Sequence, residues 1–80
     1  MKLNEINNIL DLMINEIKIN TDRLNIVKSH ISEIPKHEQI AQNDYFRILN
    51  ANKKGILLRI ESLNRSIDYY NTKIIEGDFD

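Results

Sequence analysis

Apolar side chains recur along this chain in steps of three and four. Leu3, Ile6, Leu10, Met13, Ile17, Asn20, Leu24, Val27, Ile31 and Ile34 form the first series, and only Asn20 is not aliphatic or Met. Alternation every second residue, the mark of a half-buried strand, is absent. The three-four spacing sustained over this length is a heptad a/d pattern and predicts one amphipathic helix over about residues 3–33. Pro35 sets its end, because the residue before a proline is pushed out of the α region.

A second series runs through Phe46, Leu49, Lys53, Ile56, Ile60, Leu63, Ile67, Tyr70 and Ile74 without losing phase. It predicts a second helix over about residues 37–76. Gly55 lies inside it, and a mid-helix glycine costs about 1 kcal/mol relative to alanine. The rival to one continuous helix is a break at Lys53-Lys54-Gly55, which would give three. Gly77 is a suitable helix stop, and residues 77–80 form a short acidic tail.

Residues 34–36 are left as the turn. Short connections make neighbouring helices antiparallel. The predicted fold is therefore all-α: an antiparallel two-helix hairpin with coiled-coil-like heptad packing, as a single domain spanning 1–80. Asn20 at a d position and Lys53 at an a position are the polar defects of this seam. A hairpin turning near residue 36 sets them across from one another, where they would cost stability and fix register.

Two helices bury one stripe each and leave the remaining faces wet. A second apolar line lies outside the first stripe: Ile9, Leu12, Ile19 and Ile26. On the other helix Tyr45, Ile48, Leu58 and Tyr69 are also off the seam. Single exposed apolar residues are ordinary, but a line of them along one helix marks an interface. Closed two-fold dimers are the commonest oligomers, so the expected use is a homodimer forming a four-helix bundle. A different protein partner on the same face is the competing use.

Composition narrows the function. The chain has 80 residues, 11 Lys+Arg against 12 Asp+Glu, a net charge of −1 and no Cys. Disulfides and thiolate zinc sites are excluded. Near-neutral charge argues against a strongly basic nucleic-acid binder. Arg47, Lys53, Lys54, Arg59 and Arg65 do give the second helix a local positive excess, but they spread around it. Ile56-Leu57-Leu58 is as long as any unbroken apolar run, so no membrane span is expected. The N-terminal residues lack the apolar core of a signal peptide, which makes the cytoplasm the expected compartment. Fifteen Ile and eleven Asn against two Ala point, by association, to an AT-rich genome such as that of a low-GC bacterium or its phage.

Chemistry is sparse. His30 sits at the edge of the seam and His37 by the turn, with no metal-ligand spacing around either. No glycine-rich phosphate loop occurs. Ser29, Ser32, Ser62 and Ser66 have no accompanying base. The carboxylates are interleaved with Lys and Arg, as on a solvated face, and Asp11, Glu16 and Asp22 are placed to pair with Arg59, Arg65 and Lys73 along the hairpin. The stretch Ile60-Glu61-Ser62-Leu63-Asn64 shares only its leucine with the Ser-Gln-Glu-Leu-Asp motif of small helical-hairpin phosphatases of sporulation phosphorelays, so no family follows from it.

The expectation is a non-enzymatic protein–protein interaction module without cofactor or metal. A phage or mobile-element regulator or inhibitor that occludes a partner protein's surface fits the size and bias. The alternatives are a scaffolding or assembly subunit, a nucleic-acid accessory protein, and a phosphorelay adaptor using His30.

Overall fold

In the computed structural model, which describes residues 1–79, the chain forms two long helices, α1 (Leu3–Ser32) and α2 (Asp44–Glu76), joined by a connection that contains one 3₁₀ turn (Lys36–Glu38). The described residues include no strand. Helices of 30 and 33 residues are about 45 and 50 Å long at about 1.5 Å per residue. The molecule measures 57 × 17 × 15 Å, so the helices lie side by side rather than end to end. They pack against one another along this length and form a two-helix hairpin.

The core is a single seam. Ile6, Leu10, Leu24 and Ile34 are buried from one side and Leu49 and Leu63 from the other. Burying a Leu or Ile side chain contributes about 1.5–3 kcal/mol. That contribution, rather than intrinsic propensity, holds helices as rich in Ile and Asn as these.

Each helix end has a local cause. At the start of α1, the Lys2 N–H donates to the Glu5 carboxylate at 3.3 Å. Its other end gives way at Glu33, two residues before Pro35. The Gln39 side-chain amide donates to the Ile34 carbonyl at 2.9 Å and, at 3.4 Å, to the Ile31 carbonyl, which also accepts from the Ile34 N–H at 3.1 Å. At the start of α2, the Asn43 side chain accepts from the Phe46 N–H at 3.0 Å, an N-cap that satisfies one of the four orphan donors there. Gly77 closes α2 with φ 69°, a left-handed conformation that suits glycine, and the Asp78 N–H reaches back to the Lys73 carbonyl at 2.9 Å.

The expected turn at 34–36 is corrected by this geometry. The connection runs from Glu33 to Asn43, and α2 begins at Asp44 rather than near 37. Residues 36–43 take up the 3₁₀ turn and a second turn in which the Asn43 N–H donates to the Ile40 carbonyl at 3.0 Å. The cap at Asn43 then fixes where the helix starts. Gly55 does not interrupt α2, which is one helix from Asp44 to Glu76. Of the expected tail 77–80, Asp80 lies outside the described residues.

Candidate interaction site

Of the α1 stripe, Ile6, Leu10, Asn20, Leu24 and Ile34 are buried, and Met13, Ile17, Val27 and Ile31 are half-buried; Leu3, in the first turn, is exposed. The α2 stripe is buried at Leu49 and Leu63 and half-buried at Phe46, Lys53, Ile56, Ile60, Ile67, Tyr70 and Ile74.

The two polar seam residues do not meet through a hydrogen bond. Asn20 is 7% exposed, and its amide donates to the Glu16 carbonyl of its own helix at 2.7 Å, with a longer contact of 3.5 Å to the Glu16 carboxylate. Asn20 shares an open groove with Asn52 instead. Lys53 leaves the seam on the other side, where it lines a second hollow with Lys28 and Lys36 beside the connection.

The groove around Asn20 holds about 480 Å³. Ile26 and Val27 line it from α1, and Ile56 from α2. Arg23 and Arg59 stand on its two sides. Gly55 lies in its wall, and a Cβ built there meets nothing within 4 Å. The groove is therefore open partly because α2 has no side chain at that point.

The off-seam apolar residues divide. Ile9 is half-buried at the shoulder of the seam. Leu12, Ile19 and Ile26 are 68%, 43% and 58% exposed and stay uncovered after the hairpin closes. On α2, Tyr45, Ile48, Leu58 and Tyr69 are all exposed. Ile14, Leu57 and Ile75 are exposed as well, and sequence periodicity had not singled them out.

The side-chain ion pairs seen among the described residues are local. Arg47 meets Asp44 and Arg65 meets Glu61, both at 2.8 Å and within one turn of α2. Lys73 meets Asp78 at 3.0 Å, with its ammonium 5.0 Å from the centre of the Tyr69 ring. The hydrogen bond from Lys73 holds the Asp78 carboxyl below its ordinary value, and the same bond raises Lys73. His30 is exposed and lies 3.8 Å from Glu33. Among the described residues no ion pair joins α1 to α2, so the expected partnering of Asp11, Glu16 and Asp22 with Arg59, Arg65 and Lys73 is not formed. Likewise, no group of three or more His, Asp or Glu is placed to hold a metal ion.

Among the described residues no helix is long and apolar enough to cross a membrane. No protein-family model, curated protein or solved structure matches the chain.

Proposed function

We propose that this chain is a small non-enzymatic protein–protein interaction module that self-associates and acts by covering a partner protein's surface. The observation behind this reading is the row Leu12, Ile19 and Ile26, which remains exposed on α1 after the seam is satisfied. An aligned apolar row on a rigid helix is a docking feature, whereas scattered apolar residues are not. In this reading the seam packs as an antiparallel coiled coil and two hairpins join as a four-helix bundle. The Ile- and Asn-rich composition suits a regulator or inhibitor carried by a phage or mobile element of an AT-rich host.

A second reading, an assembly subunit, draws on the exposed Leu58, Tyr69 and Ile75 of α2. Apolar groups on more than one face would let hairpins join beyond a closed pair. Solution mass by light scattering, over a range of concentration and salt, separates the two. A dimer that holds its mass over the range supports the module. Growth of mass beyond a dimer with concentration supports the assembly subunit. A monomer throughout would overturn self-association.

A further inference from the structure

We propose that a second copy of the chain docks antiparallel along α1, about a two-fold axis passing beside Ile19. This rests on the self-association reading and adds to it the surface, the direction and the register.

Leu12, Ile19 and Ile26 stand seven residues apart. A seven-residue step drifts only about 20° around a helix, so the three lie in one row. The row is symmetric about its middle member. A two-fold axis beside Ile19 places that residue against the partner's Ile19 and places Leu12 against the partner's Ile26. Each apolar residue of the row then meets an apolar residue of the partner.

Charge complements the antiparallel direction. Glu16 and Arg23 flank the row on the edge nearer α2: Glu16 touches the buried Asn20, and Arg23 lines the groove between the helices. Both are exposed, and neither has an ion-pair partner among the described residues. Along one helix their seven-residue separation is about 10.5 Å of rise, too far for a direct pair. With the axis beside Ile19, Glu16 falls within about 1.5 Å of rise of the partner's Arg23, and symmetry forms the reverse pair as well. A parallel, in-register arrangement sets this edge against the partner's opposite edge, where Arg23 meets Asp22 and Glu16 is left beside Asn15; of the two arrangements, only the antiparallel one is restored when Glu16 and Arg23 are both reversed. On the opposite edge, the antiparallel register brings Asp22 beside the partner's Asn15, so no like charges meet there.

The absence of cysteine from the chain makes the register directly testable. Ile19→Cys puts one thiol next to the axis in each copy, and mild oxidation should give a covalent dimer. Ile14→Cys, a comparably exposed position on another face of α1, should cross-link at least tenfold more slowly. In parallel, Glu16→Arg and Arg23→Glu should each raise the dimer dissociation constant about tenfold, and the double reversal should restore it to within about threefold. Far-UV circular dichroism checks that each variant remains helical. A dimer in which Ile14→Cys links as fast as Ile19→Cys would overturn the register while leaving self-association standing, as would a double reversal no better than the single ones. A chain that is monomeric at every concentration would overturn both.

Discussion

The side-chain amide of Gln39 donates to the carbonyl oxygen of Ile34 at 2.9 Å, and so ties the connection to the end of α1. Its second contact, 3.4 Å to the Ile31 carbonyl, adds to the bond that this oxygen already accepts from the Ile34 N–H. Gln39→Ala removes both. The expected cost is about 0.5–1.5 kcal/mol. In a domain of this size that lowers the thermal midpoint by roughly 4–8 °C per kcal/mol. Thermal unfolding followed at 222 nm checks it, and an unchanged midpoint would show that water replaces the amide without loss.

Asn43 caps α2 through the Phe46 N–H. Asn43→Ala should cost about 1 kcal/mol and Asn43→Gly only a few tenths, because glycine leaves the N–H open to water. Urea unfolding of the two variants gives the comparison. Equal losses would mean that the side-chain acceptor is not what sets the boundary.

Gly55 sits in unbroken helix with free space where a Cβ would go. Gly55→Ala should therefore stabilise the chain by about 0.5–1 kcal/mol through backbone entropy. The denaturation midpoint should rise with no change in slope. A fall would show that the added methyl meets something that forms only in the associated protein, and the same measurement at several protein concentrations would detect that.

Asn20 is buried and spends its amide on its own helix. Replacement by Leu should raise stability, since the Glu16 carbonyl keeps its backbone partner and apolar area is gained. The expected readout is a higher melting temperature. A marked drop would mean that the carboxamide holds the seam in register in a way the single hairpin does not require.

Asp78 should titrate below the ordinary aspartate value, because Lys73 hydrogen-bonds its ionised form. A depressed carboxylate contributes stability above its unfolded pKa and loses it as pH falls through the folded one. The closure at Gly77 should therefore loosen in acid. Carboxyl-carbon NMR of the wild type and of Lys73→Ala checks it: the Asp78 midpoint should move up toward the ordinary value in the variant.

Periodicity located what burial determines. The stripe from Ile6 to Ile31 and the stripe from Phe46 to Ile74 lie along the contact between the helices. It was silent on the connection, because residues 37–43 contribute nothing to either stripe and a helix boundary depends on caps rather than on burial. Asn43 followed by Asp44 was the available signal, an N-cap with an acidic first turn. Gln39 carried none, since its role depends on where Pro35 turns the chain. The polar pair in the seam was visible as a pair of defects, but their orientation was not. Asn20 could satisfy itself four residues back, and Lys53 was long enough to leave by the opposite side.

Ile6 is fully buried although it lies in the second turn of α1, at the end of the rod remote from the connection. The covalent link closes one end, and Ile6 acts as a clasp at the other. Contacts near the connection close short loops and are cheap in chain entropy, whereas those around Ile6 close nearly the whole chain. The hairpin should zip from the connection outward and fasten last at Ile6. Trimming the final turns of α2 would then open the molecule from its free end, shortening the life of the folded state more than it slows folding.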